Sequence, residues 1–64
     1  MTIRVKKYSR WDESCNWQLE SIEEQETKIA KREDLIDVLG FTYCKNYDEY
    51  YKECGNSLTV IKVL

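Results

Sequence analysis

The feature that most constrains this chain is its small size, which is not supplemented by a disulfide framework or a metal motif. It has 64 residues, three cysteines and no histidine. A domain of about 60 residues buries only about 60% of the surface that its unfolded chain exposes. That leaves about 3–5 kcal/mol of stability at best. The chain therefore predicts one domain over residues 1–64, with binding to a partner or a second copy as a further source of stability.

The cysteines, Cys15, Cys44 and Cys54, match no common disulfide or metal pattern. Their number is odd, and no two of them have Cys-x-x-Cys spacing. A structural zinc needs a fourth ligand, which three cysteines without histidine do not supply. A Cys44–Cys54 bridge is left open, but three reduced thiols acting as small apolar side chains are favoured. We therefore expect no metal and no cofactor.

Reduced thiols also indicate a reducing compartment. No run of apolar residues is long enough for a signal peptide or a transmembrane span. These observations predict a protein of the cytoplasm that has no membrane association. If a phage encodes the protein, a possibility that the binding surfaces below raise, the compartment is the cytoplasm of the host cell.

Charge is distributed unevenly along the chain. The formal net charge is −2, but residues 1–10 carry four basic side chains and no acid, whereas 11–27 carry six acids and no base. The remaining residues, 28–64, carry six of each sign. The near neutrality is a cancellation between a basic first segment and an acidic second one.

The first twenty residues predict a β-hairpin. Ile3 and Val5 alternate with basic residues, as in a half-buried strand. A polar turn over 12–14 precedes Trp17 and Leu19, which alternate with polar residues in a returning strand. Opposite charges on the paired strands would contribute roughly 0.2–1 kcal/mol for each pair. On this interpretation the acids are paired internally, and the alternative is that they face outward as a binding surface.

Residues 21–30 permit two interpretations. One helix over 22–39 is favoured by a capping box at Ser21–Glu24 and by isoleucines that recur every seven residues, at 22, 29 and 36. The alternative is that the preceding strand continues, turns near Glu24 and Gln25, and returns through Thr27 and Ile29. The first leaves only a thin apolar stripe and the second uses poor strand formers, so both stay open.

Two short helices and a final strand are predicted next. Apolar residues over 31–39 followed by Gly40 favour a helix with a glycine stop. Residues 46–55 repeat tyrosines at helical spacing between Asn46 and Gly55, which predicts a second helix. The run 58–64 has apolar residues on both faces, as in a central strand or one covered by a partner.

Together these elements predict an α+β fold. Its N-terminal β-hairpin and C-terminal strand form a three-stranded antiparallel sheet with two short helices on one face. The predicted core comprises Ile3, Val5, Trp17, Leu19, Leu35, Ile36, Leu39, Phe41, Tyr50, Tyr51, Leu58, Val60 and Ile61.

Residue types that carry chemistry are scarce. No histidine is available for a catalytic triad, no cysteine has its usual base, and the two glycines do not form a phosphate-binding loop. A domain of this size also offers no deep cleft in which carboxylate pKa values could shift. We therefore expect a protein that is not an enzyme and that acts by binding.

Three surfaces are candidates for binding. The acidic segment could imitate a phosphate backbone and occupy the basic channel of a nucleic-acid enzyme such as a nuclease, as small phage inhibitors of host or defence enzymes do. A tyrosine cluster suits a protein interface or a homo-oligomer. The basic N-terminus with its aromatic residues suits direct nucleic-acid binding less well, because the footprint is small and the chain is acidic overall. The candidate partner-binding residues are Glu20, Glu23, Glu24, Glu26, Tyr43 and Tyr47.

Overall fold

Three β-hairpins build a single five-stranded antiparallel sheet in the computed structural model, which describes all residues 1–64. The elements are β1 (Thr2–Ser9), β2 (Gln18–Glu26), α1 (Glu33–Asp37), β3 (Thr42–Cys44), β4 (Glu49–Cys54) and β5 (Ser57–Val63). The strand order across the sheet is β2-β1-β5-β4-β3. No helical segment has the length and hydrophobicity that crossing a membrane requires.

The fold is mostly β, so the predicted α+β domain with a three-stranded sheet and two helices is wrong. The N-terminal hairpin is present, and β5 is the central strand, as its apolar residues on both faces predict. The difference lies in the second half of the chain, where β3 and β4 extend the sheet by a further hairpin.

Residues 46–55, predicted as a helix, instead form a turn and strand β4. Tyr50 and Tyr51 point to opposite faces of the sheet, since Tyr50 pairs with Ile61 and Tyr51 with Val60. The Gly55–Asn56 pair does not stop a helix but joins β4 to β5. Of these two residues only Gly55 has a positive φ, of 59°, as the first central residue of a type II′ turn does. Aromatic residues that alternate faces are also good strand formers.

The helix interpretation of residues 21–30 is wrong, and the strand interpretation is correct only as far as Glu26. Strand β2 continues without a turn to Glu26, and no helix begins until Glu33. Pairing with β1 overrides the poor strand propensity of the glutamates, because Arg4 lies opposite Glu24 and Thr2 lies opposite Glu26.

The helix predicted over 31–39 is confirmed as α1, although it is short. Its Leu35 side chain is completely buried. Gly40 takes a φ of 75°, and the Phe41 N–H donates to the Leu35 carbonyl at 2.8 Å. The left-handed conformation of Gly40 ends the helical turn and directs the chain toward β3, which lies at the far edge of the sheet.

The core lies on one face of the sheet, under the segment that crosses from β2 to β3. Five predicted core residues are buried: Ile3, Val5, Leu35, Tyr50 and Ile61. Phe41 packs against them, together with Met1, Ile29 and Val63. Four other predicted core residues are substantially exposed, so their assignment is wrong: Leu19, Ile36, Leu39 and Tyr51.

Candidate interaction surface

The two faces of the sheet differ in what covers them. Strand pairing places Ile3, Val5, Ile61 and Tyr50 on one face, where Leu35 packs on them. We call this the helix side. The opposite face, which we call the open face, has no helix packed on it.

An apolar patch lies on the open face. Strand register brings together six of its side chains across β2, β1, β5 and β4: Tyr8, Leu19, Ile22, Tyr51, Leu58 and Val60. We call these residues the open patch. Leu19 and Ile22 are 50% and 53% exposed, and Tyr51 is 40% exposed. Tyr8, Leu58 and Val60 are half-buried by their neighbours in the sheet. The core cluster that contains Leu35 of α1 lies on the other face.

A row of charges borders the open patch toward the chain termini. Register places Glu24, Arg4, Lys62 and Glu49 side by side on β2, β1, β5 and β4. Arg4 Nη2 lies 2.9 Å from Glu24 Oε1. The open patch is mostly apolar, although Lys6 lies between Ile22 and Val60 and Glu53 lies beside Leu58. Apolar side chains next to charged ones are the composition of many protein interfaces.

The four candidate glutamates lie on β2, which is an edge strand of the sheet. Three of them accept hydrogen bonds from the neighbouring strand. The donors are Arg4 to Glu24, Ser9 to Glu20 and Thr2 to Glu26. Glu23 makes no hydrogen bond or ion pair, because it lies on the helix side opposite Val5.

The structure answers whether these acids are paired internally or face outward. Most have one partner in their own hairpin, yet the Glu24 and Glu26 side chains stay 55% and 74% exposed. Exposed ion pairs of this kind contribute about 0–1 kcal/mol. The glutamates are therefore available to a partner at small cost.

The two candidate tyrosines lie at the opposite edge. Tyr43 is on β3 and Tyr47 is in the β3–β4 turn, four strand spacings or about 19 Å from β2. Tyr47 is 70% exposed. The Tyr43 ring packs at a tilt against the buried Tyr50 ring, with a centroid distance of 5.0 Å, so it supports the core. The structure therefore does not bring the glutamates and the tyrosines together.

A small polar cluster fixes the β3–β4 turn. The Tyr43 hydroxyl and the Arg32 guanidinium both donate to Asp48 Oδ1 at 2.7 Å. These bonds, that of Tyr43 first, hold the pKa of Asp48 below its ordinary value. The same bond raises the pKa of the Tyr43 hydroxyl. Asp48 itself takes a φ of 52°, which aspartate tolerates better than most residues.

We predict that Asp48→Asn weakens the acid dependence of stability. The folded-state pKa of Asp48 is lowered, so its contribution is present above the unfolded value of about 3.9 and is lost as pH falls through the folded value. Urea unfolding between about pH 2 and pH 6 measures this slope. Asp37→Asn is the matched control, because Asp37 accepts no side-chain hydrogen bond. Equal slopes for the two variants would contradict the assignment.

The basic residues of β1 do not form one surface. Arg4 and Lys6 lie on the open face, whereas Lys7 lies on the helix side. Arg10 bonds Asn56 and lies over the Trp17 ring at 4.2 Å. Cys44 and Cys54 are free and lie at opposite ends of the β3–β4 hairpin, so the bridge between them that the sequence left open is not formed.

Sequence reasoning missed the open patch because it assigned Leu19 to the core. A signal was present, since Ile22, Glu24 and Glu26 are two residues apart. Once β2 is recognised as one strand, this spacing places them on the same face. Comparison of this chain with protein-family models, curated proteins and solved structures finds no match.

Proposed function

We propose that this chain is a non-enzymatic protein-binding module that modulates the protein it binds. The observation that carries the proposal is the exposure of Leu19 and Ile22 on a broad sheet face that no segment of the chain covers. Apolar patches of this kind mark interaction sites in small proteins. The bordering charges supply the polar rim of such a site.

The size of the open face suits a stable complex. A standard interface removes about 800 Å² from each partner. That is about one sixth of the 4825 Å² surface of this protein. One face of a five-stranded sheet is broad enough for this, and burial of its apolar atoms contributes about 25 cal/mol per Å² before the costs of association.

The charges favour a partner with an apolar patch beside basic residues. Four glutamates lie along β2, next to the exposed Leu19 and Ile22. A nuclease or another nucleic-acid enzyme has such a basic surface, since it binds phosphates. The activity that we propose is inhibition of an enzyme of this class, as phage-encoded inhibitors act on host or defence enzymes.

Affinity capture from bacterial lysate tests the proposal with matched variants. We predict that the double substitution Leu19→Ser and Ile22→Ser reduces recovery of the captured protein about tenfold or more, because these are the two most exposed apolar side chains of the open patch. The control is Trp11→Ser with Val38→Ser, which removes two apolar side chains that are 88% and 72% exposed but lie outside the five strands. Circular dichroism checks that both variants stay folded.

Three results would contradict the proposal. One is equal recovery with both double variants, and another is capture of no protein above background. The third is a dimer, detected by light scattering at micromolar concentration, that the Leu19 and Ile22 substitutions dissociate. That result would show that a second copy covers the open patch, as in a homo-oligomer.

A further inference from the structure

Strand β2 offers an unpaired backbone edge. Met1 and Thr27 exchange both backbone hydrogen bonds, at 3.1 and 2.9 Å. Because such pairs alternate along an antiparallel ladder, the next residues that bond β1 are Gln25 and Glu23. The N–H and C=O groups of Ile22, Glu24 and Glu26 therefore point away from β1.

This edge differs from the opposite edge in length. Strand β2 has nine residues, whereas β3 at the other edge has three. An extended segment from another protein could form several consecutive backbone hydrogen bonds with β2. Addition of a strand to an exposed edge is a common mode of peptide recognition.

The charge of β2 selects what can pair with it. Two copies of β2 would place glutamates opposite glutamates, and like charges on paired strands are destabilising. Charged side chains on an edge strand prevent association of identical sheets for this reason. A basic strand meets no such repulsion.

The sheet already contains an example of a strand that fits. β1 carries Arg4, Lys6 and Lys7, and it pairs with β2 along its inner edge. Arg4 there forms an ion pair with Glu24. On the helix side, the Glu23 carboxylate has no partner and is free to bind a cation from a strand added at the outer edge.

We propose that the outer edge of β2 accepts an extended, lysine- or arginine-bearing segment of the partner protein as a sixth strand. This inference rests on the proposed function and gives the binding mode: backbone hydrogen bonds to Ile22, Glu24 and Glu26, and ion pairs to the β2 glutamates. The added strand continues the sheet beside the open patch, so both surfaces contact the same partner.

Amide hydrogen exchange of the ¹⁵N-labelled protein tests the inference with a defined probe. The probe is a short, blocked peptide in which lysine alternates with valine. At saturation we expect exchange at Ile22, Glu24 and Glu26 to slow about tenfold or more, with no change at Tyr43 on the other edge. The same side chains on a backbone with methylated nitrogens should bind far more weakly, because that peptide cannot donate ladder hydrogen bonds.

Charge variants provide the second measurement. Glu23→Lys combined with Glu24→Lys should weaken peptide binding about tenfold, since two cross-strand attractions become repulsions. Glu53→Lys on β4 is the matched control and should have no effect, because it lies three strands from β2.

The outcomes separate this inference from the proposed function. Capture that depends on Leu19 and Ile22, with no edge protection by the peptide, would overturn the edge inference alone. Protection that the methylated peptide reproduces, or that Glu53→Lys reduces as strongly, would also overturn it. Failure of both the capture and the peptide experiments would remove the two proposals together.

Discussion

Replacement of Leu35 by alanine is expected to unfold most of the protein at room temperature. Leu35 is the one completely buried large side chain, and it packs α1 onto the buried residues of the sheet. A buried Leu→Ala substitution costs about 2–5 kcal/mol. A domain of this length has about 3–5 kcal/mol to lose. Far-ultraviolet circular dichroism and urea titration measure the loss.

Ile36→Ala is the matched control for Leu35→Ala. Ile36 is the next residue of α1 and has a similar volume, but its side chain is substantially exposed. We expect a change within about 0.5 kcal/mol, as for most surface substitutions. Similar losses of stability in the two variants would contradict the placement of α1 on the sheet.

Tyr50→Ala is expected to destabilise the protein about as strongly as Leu35→Ala. The Tyr50 side chain is buried in the same core cluster as Leu35, packs against the Tyr43 ring, and has the Arg32 guanidinium 5.6 Å from its ring centroid. Removing a buried aromatic ring costs about 3–5 kcal/mol. We expect a loss of cooperative unfolding in urea, measured by fluorescence of the two tryptophans.

Two further variants test whether the loss in Tyr50→Ala comes from removal of the buried ring. Tyr50→Phe keeps the ring and should cost no more than about 1 kcal/mol. Tyr51→Ala removes the neighbouring tyrosine, which lies on the open face, and should be much less destabilising than Tyr50→Ala. If Tyr51→Ala were the more damaging of the two, the assignment of the faces of β4 would be wrong.

The N-terminal hairpin could be predicted because apolar and polar residues alternate in β1, and β5 because its residues are apolar on both faces. Ile3 and Val5 of β1 lie opposite Val63 and Ile61 of β5 on the helix side, as this pattern requires. The length of β2 could not be predicted from propensity. Its glutamates disfavour a strand in isolation, and they are held there by the basic residues of β1, which are distant in sequence.

The second hairpin was missed because its residues fit a helix equally well. Tyr47, Tyr50 and Tyr51 have helical spacing, and a Gly-Asn pair serves as a helix stop or as a two-residue hairpin turn. Tertiary contacts distinguish the alternatives: Tyr50 pairs with Ile61 on β5 and lies in the same core cluster as Leu35 of α1. No local pattern contains that information.

The candidate surface was partly predictable. The glutamates of β2 are exposed, as a binding surface requires, but the sequence did not place Leu19 and Ile22 beside them on an open face. Which face of the sheet is left open depends on where the segment 27–41 crosses. That path is fixed by the packing of Leu35, Ile29 and Phe41 on the helix side.

Cross-saturation NMR on the complex with the captured protein tests most directly the claim that the open face is the binding surface. The methyl signals of Leu19, Ile22, Leu58 and Val60 are predicted to lose intensity when the unlabelled partner is saturated. Those of Ile3, Val5 and Leu35 should keep theirs, because these side chains are buried in the core on the helix side. Intensity losses centred instead on Val38 and Leu39, with the open-face methyls unchanged, would contradict the account.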